Sequence, residues 1–259
     1  MSIKVLHLNI EKQKHLKAVR NLMKTQKPDV ACFVEINESD AKNLADDLRY
    51  EFVYSPLVST EDGDTEGTAI LSKIPILDSS DLRYDDDPSD DMPAPEEKTA
   101  DGNRPKERFL SHSSVLTATI EVNKEKLTIA TTHFPVTDHS TPGYKDHSFD
   151  ETSDVREINH TRILFDRFIS IIRKLPYPLI FTADLNNPRG EYMYDALAHE
   201  LVDVIPKNID STIDPNLHRH KGLRLVVDTI MTSPDVRVDT VETIEGVSDH
   251  KAIVAVFDV

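Results

Sequence analysis

Apolar residues crowd the opening run Ile3-Lys4-Val5-Leu6-His7-Leu8-Asn9, which closes on a polar side chain, the pattern of a strand meeting a loop. Leu16, Val19, Leu22 and Met23 then recur at three- and four-residue steps, predicting an amphipathic helix that Pro28-Asp29 stops. The run Val30-Ala31-Cys32-Phe33-Val34 predicts a second strand closed by Glu35. Ala41, Leu44, Ala45 and Leu48 predict a second helix, with Ser39 as its cap. Strand-like segments follow at 52–55, 67–72, 113–122 and 127–133, punctuated by turn chemistry such as Val122-Asn123-Lys124. A long helix is predicted over about 153–174, where Ile158, Leu164, Phe165, Phe168, Ile169 and Ile172 largely repeat at helical spacing before Pro176. Strands at 179–183, 225–232 and 252–258 and a short helix near 191–198 complete the reading. Helices and strands alternate without an internal repeat or a second compositional change. This favours one mixed α/β domain over 1–259, with sheets covered by helices.

Composition narrows the class. With a single Cys and no Trp, neither a disulfide framework nor a Cys-rich zinc module is available, so the core must be hydrophobic. No apolar run reaches the roughly 18–20 residues of a membrane span, and Met1-Ser2-Ile3-Lys4-Val5-Leu6 lacks the longer apolar stretch of a signal peptide. A cytoplasmic protein with no obligate protein partner is the expectation. The net charge is −16, and ten acidic against two basic residues between Asp78 and Asp101 account for half of it. With Pro88, Pro93 and Pro95 inside, the stretch at about 78–106 reads as a solvated, acidic insertion. The remaining charge weakens non-specific binding to polyanions without forbidding a locally basic cleft.

Chemistry-bearing residues recur where apolar runs give way to loops: Asn9, Glu35, His133, Asp184 with Asn186, Asp228, and Asp249 with His250. In a sheet-based fold, strand ends converge on one edge, where function is usually built. Each alone has a structural explanation: Asn9 as a turn or cap, Asp184 as an Asx turn before Asn186-Asn187-Pro188, His133 as a satisfied histidine before Phe134-Pro135. Glu35 and Asp228 are harder to dismiss, because a carboxylate ending an apolar strand must find a cation, hydrogen bonds or water.

These segments resemble, in order and spacing, the motifs of the endonuclease/exonuclease/phosphatase superfamily. Leu8-Asn9-Ile10 is similar to its first strand ending in Asn, and Phe33-Val34-Glu35 to its second ending in Glu. Gly67-Thr68-Ala69-Ile70-Leu71-Ser72-Lys73 is similar to its glycine-led strand. Thr132-His133-Phe134, Ala183-Asp184-Leu185-Asn186, Val227-Asp228-Thr229-Ile230 and Ser248-Asp249-His250 match the later motifs. Ala183 stands where the family has Gly, Phe33-Val34 replaces the usual Leu-Gln, and no Trp flanks Asp228. No reactive group is lost.

The resemblance implies a DNase I-like, four-layer α/β/β/α sandwich of two packed mixed sheets. It also implies a divalent-metal-dependent hydrolase of phosphate esters, with phosphodiesterase or nuclease activity first. A phosphomonoesterase or a phosphoinositide- or sphingomyelin-type phosphohydrolase is the alternative. Nucleic acid is one candidate substrate. Glu35, Asp249 and Asn9 would hold Mg²⁺ or Mn²⁺. By the same resemblance Asp184 orients or deprotonates the attacking water, and Asn186 bonds the phosphoryl oxygen or that water. Two imidazoles, His133 and His250, can exchange protons near neutrality, and Asp228 pairs with His250. Arg108, Arg162 and Arg189 are candidate phosphate ligands, as are Lys145 and the cluster His218-Arg219-His220-Lys221 with Arg224. A zinc site on His133, His139 and His147 has no recognised ligand spacing. A catalytically silent scaffold would be marked by loss of Asp184, Asn186, Asp249 or His250, and all four are present.

Overall fold

The computed structural model describes residues 2–59, 64–85, 113–135 and 155–259, and of residues 59 and 155–161 the backbone alone. Most of the acidic insertion, with Arg108, Lys145, His139 and His147, lies outside the described residues. Strand β1 (Ser2–Asn9) leads through a short 3-10 turn to α1 (Leu16–Gln26), β2 (Val30–Asn37) and α2 (Glu38–Leu48). Lys27, left-handed at φ 49°, closes α1 with an N–H bond to Met23 O, and Pro28 prevents its continuation. Ser39 was expected as the cap of the second helix, but Asn37 stands there and Ser39 lies inside α2, its Oγ donating to Asp64.

Strands β3 (Glu51–Ser59), β4 (Thr65–Ser72), β5 (Ile76–Arg83), β6 (Ser114–Val122) and β7 (Glu125–His133) precede α3 (Val155–Ile172). Then come β8 (Leu179–Asp184), α4 (Tyr192–Glu200), the two-residue β9 (Val202–Asp203), β10 (Asp228–Thr232), β11 (Arg237–Ile244) and β12 (Ala252–Asp258). Two six-stranded sheets result, ordered β11-β12-β1-β2-β4-β3 and β5-β6-β7-β8-β10-β9. Each is mixed, with one parallel pair, β1 beside β2 and β7 beside β8, bridged through α1 and α3.

Alternation along the strands divides the core into three layers. Ile3, Val5, Val30 and Cys32 of the first sheet meet Ile129, Ile180 and Ile230 of the second between the sheets. Leu6, Leu8, Ala31 and Phe33 face α1 and α2, while Ala130, Phe181 and Met231 face α3 and α4. This is the four-layer α/β/β/α arrangement, with about 25 cal/mol gained per Å² of apolar surface removed from water in each layer. No helix among the described residues is long and apolar enough to cross a membrane.

The acidic stretch expected as an insertion at about 78–106 opens with residues that belong to a sheet. Asp78–Arg83 is paired with β6 as an edge strand, and its side chains are largely exposed. An edge strand is held by backbone bonds on one side only, so its side chains can stay polar. Residues 225–227, expected as strand, lie before β10. Leu225 O instead accepts the Thr212 N–H.

Candidate active site

The inter-sheet layer is apolar through most of its depth and turns polar at one edge. On β1 the two-residue period that puts Ile3 and Val5 between the sheets also puts His7 and Asn9 there. On β8 it places Thr182 and Asp184 on the side of Ile180, and on β10 Asp228 on the side of Ile230. Register then sets the carboxylates and imidazole side by side: Asp184 lies opposite His133 of β7 and opposite Asp228 of β10. Since β1 of the first sheet crosses β8 and β10 of the second, Asn9 arrives over the same spot.

Glu35 reaches it by a different device. The pairing of β2 with β4 slips between Val34 and Ile36, and Glu35 at the slip is left-handed, at φ 53°. Phe33 and Ile36 both pack toward the helices, so the bulge turns Glu35 from the helix side toward the cleft. There Asn9 Nδ2 donates to Glu35 Oε1 at 2.9 Å and to Asp184 Oδ2 at 3.0 Å. Asn9 Oδ1 accepts the Glu11 N–H at 3.0 Å, which fixes the amide's orientation.

Asp184, 1% exposed, forms the Asx turn foreseen in the sequence, its Oδ1 accepting the Asn186 N–H at 2.9 Å. Asn186 is left-handed at φ 49°. Its Nδ2 donates to Phe134 O at 2.9 Å and reaches His133 Nε2 at 3.0 Å. The Phe134 carbonyl thus fixes the orientation of the amide that meets the His133 ring. His133 Nε2 lies 3.7 Å from both Glu35 Oε1 and Asp184 Oδ2. Asn187 anchors the far side of this loop, its Oδ1 accepting the N–H groups of Met193 and Tyr194 in the first turn of α4.

His250 Nδ1 meets Asp228 Oδ2 at 2.8 Å and lies 3.9 Å from Asp184 Oδ2. Burial alone would push this imidazole down, but the charges of Asp228 and Asp184 and the hydrogen bond to Asp228 raise it to about 10. Burial would likewise raise Asp228, yet the His250 charge and hydrogen bond hold it far below the usual carboxylate range. Asp184 moves the other way, raised first by burial and then by the Asp228 charge. The pair is therefore an imidazolium–carboxylate across neutral pH.

Thr212 Oγ1 accepts the N–H groups of Val227 and Asp228 at 3.1 Å, and Lys251 N donates to Thr212 O. Asp214, fully buried, accepts from Asn216, Leu217 and Gly246 N–H, so one carboxylate joins the loop after it to the loop carrying Asp249 and His250. That first loop brings His218 edge-to-face against His250, with ring centroids 6.4 Å apart. His7, Thr212 and Asp214 were not singled out as site residues in the sequence, whereas His218 was named there among the candidate phosphate ligands. His7 alone had a readable signal, its place two residues before Asn9 on the same strand face.

Of the expected metal set, Glu35 and Asn9 meet directly. Asp249 is half-buried, its Oδ1 accepting from Ser248 Oγ at 3.0 Å, and its charge adds to those raising His250. Among the described residues, Asp184, Asp228 and His250 present ligand atoms within 4.8 Å of one another. His250 Nδ1 spends its proton on Asp228, so this trio is a hydrogen-bonded acid–base cluster. A hard cation fits better at Glu35, where Asn9 occupies Oε1, the carboxylate is 23% exposed, and Asp184 shares the same Asn9 amide.

Arg189 does not join them. Its guanidinium pairs with Asp203 at 2.9 Å, donates to the carbonyls of Ile205, Pro206 and Ile209, and lies over the Tyr194 ring. Those acceptors take up the terminal nitrogens of the fork expected to bind phosphate. Arg224 is likewise engaged by Asp210. Arg162 lies exposed on α3.

No curated protein is significantly similar in sequence. Solved structures share the fold along the whole chain. A family protein from Leptotrichia buccalis C-1013-b superposes with a TM-score of 0.69 at 16% identity, covering 99% of this chain and 100% of that one. D. rerio TDP2 complexed with single-strand DNA product gives 0.65 at 16%, covering 100% and 99%. The human Nocturnin catalytic domain with bound sulfate gives 0.63 at 17%, covering 99% and 93%. The profile of the Endonuclease/Exonuclease/phosphatase family matches residues 6–250, a span that takes in every side chain of the cleft from His7 to His250, and the chain belongs to that family.

Proposed function

We propose that this protein is a divalent-cation-dependent phosphoesterase acting first on phosphodiesters, with nucleic acid as the substrate class. The observation that carries the reading is the convergence of Asn9, Glu35, His133, Asp184, Asn186, Asp228 and His250 from both sheets into one hydrogen-bonded cleft. Two relatives by fold add support: one was solved with a single-strand DNA product, the other with sulfate, an anion shaped like phosphate.

In this reading Glu35, with Asn9 and Asp249, holds Mg²⁺ or Mn²⁺. Once bound, the cation supplies Lewis acidity that offsets charge on the phosphoryl oxygens. Asp184 is raised by burial and by Asp228, so it is suited to accept a proton from an attacking water. Asn186 and His133, tied to each other, orient that water or a phosphoryl oxygen. His250 is kept protonated by Asp228 and donates a charge-assisted hydrogen bond to an oxygen that gains negative charge in the transition state.

The test is hydrolysis of bis-p-nitrophenyl phosphate, p-nitrophenyl phosphate, single-strand and duplex DNA, and RNA, each with Mg²⁺, Mn²⁺ or chelator. Diester turnover that needs a divalent cation and falls by roughly 100-fold or more in His250→Ala and Asp184→Ala is expected. Wild-type turnover in folded His250→Ala refutes the assignment, and activity confined to the monoester moves the reading to a phosphomonoesterase.

A further inference from the structure

We propose that His7 is a positioning residue for His250, acting through Asp228, so that the catalytic pair is the outer two-thirds of a buried His250–Asp228–His7 line. The inference rests on the reading of His250 as catalytic.

His7 is 0% exposed, as is Asp228, and each sits in the layer between the sheets. Asp228 uses Oδ2 for His250 at 2.8 Å, while its Oδ1 lies 3.4 Å from His7 Nε2. That separation is long for a hydrogen bond, yet neither atom has another partner, and His7 Nδ1 has none either. A buried donor or acceptor left unmade costs about 1–3 kcal/mol, and Asp228 Oδ1 and His7 Nε2 are the nearest means each has of avoiding it. The contact therefore assigns the proton of His7 to Nε2 and directs it at the carboxylate. Backbone bonds from Val227 and Asp228 to Thr212 fix the start of β10, but they leave the carboxyl plane free to rotate about its own bond. A second donor on Oδ1 fixes that plane, and with it the direction from which Oδ2 receives the Nδ1–H of His250. Among the described residues, no hydrogen-bond donor satisfies Oδ1 by another route.

The surroundings explain why an imidazole serves here. His7 lies across from Cys32 of β2 and Ile253 of β12, deep enough that a short hydroxyl side chain would need to cross the inter-sheet gap to reach β10. The ring spans that gap and fills it.

Three measurements decide the matter at one fixed pH. In the wild type, ¹⁵N shifts should place a proton on His7 Nε2, and the His250 Nδ1–H should give a resolved downfield resonance. His7→Leu should move that resonance upfield and lower kcat by roughly tenfold with KM changed less than about twofold, the size typical of lost support behind a site residue. His7→Gln, which keeps an N–H at nearly the same reach, should restore both. A His7 proton found on Nδ1 alone overturns the proposal even if the Leu variant fails to fold. So does a folded His7→Leu protein with the wild-type resonance and kcat, or a His7→Gln protein as impaired as His7→Leu. Absence of phosphoesterase activity in the wild type would sink the catalytic reading instead, and the resonances would still decide whether His7 supports the pair.

Discussion

Replacing Asp228 by Asn removes one negative charge from between two imidazoles while keeping the shape of the side chain. In the native protein His250 is raised from 6.5 to about 10, a preference for the imidazolium on the order of 5 kcal/mol. Experience with buried pairs that lose one member puts the cost at about 3–5 kcal/mol. For a chain of this size that is a fall in Tm on the order of 10 °C. The pH dependence carries the stronger test. His250 is raised on folding, so the stability its proton brings is complete below pH 6.5 and is lost as the pH climbs toward 10. Asp228 is depressed on folding, so its contribution is present above roughly pH 4 and is lost as the pH falls below that. Asp184, raised by burial and by Asp228, responds in the opposite sense and favours the fold as its carboxyl takes up a proton. The difference in Tm between wild type and Asp228→Asn should therefore be widest between about pH 4 and 6.5 and narrow steadily toward pH 10. In the variant Asp184, at 3.9 Å, and the weaker charge of Asp249 remain to hold the His250 proton, so NMR titration should find His250 deprotonating well below its wild-type midpoint. A Tm difference that stays constant from pH 5 to 10, or an unmoved His250 midpoint, would refute the electrostatic account of the pair.

Two further outcomes follow from the geometry. Glu35→Gln keeps an acceptor for Asn9 but removes the exposed charge, so calorimetric Mn²⁺ binding should weaken by at least tenfold while the far-UV spectrum stays unchanged; binding as tight as in the wild type would place the cation elsewhere. Gly67→Ala should destabilise by about 1–3 kcal/mol in chemical denaturation, because the added methyl would overlap the Ser55 carbonyl oxygen of the paired strand, and backbone cannot move aside as a side chain can.

How much of this was legible in the chain depends on what kind of information each residue carries. Periodicity located α1, α2, α3 and the buried strands because those elements bury one face or two, and burial writes itself into residue type at intervals of 3.6 or 2. Strands β5 and β11 escaped for the complementary reason. Both are sheet edges, with register shifts at Ile76/Asp78 and Val238/Thr240 and with no buried side chain in either strand, so backbone pairing rather than hydrophobic alternation makes them strands. Arg189 shows the limit for charged residues. Proximity to Asn186 in sequence suggested a phosphate ligand, but the path of residues 203–209 delivered Asp203 and three carbonyls to its guanidinium.

By itself the sequence determined which polar side chains end apolar strands, in what order, and hence the family and the parts of its cleft. Those are local facts: each needs only a run of apolar residues and the polar residue that terminates it. Tertiary structure alone decided how the parts meet. The bulge that turns Glu35 toward Asn9, the register that sets Asp184 between His133 and Asp228, and the crossing of β1 over β10 that brings His7 to the back of Asp228 all depend on pairings between residues far apart in the chain. A side chain's type is written at its own position, but its partner, its charge state and its aim are set by what the other sheet places against it.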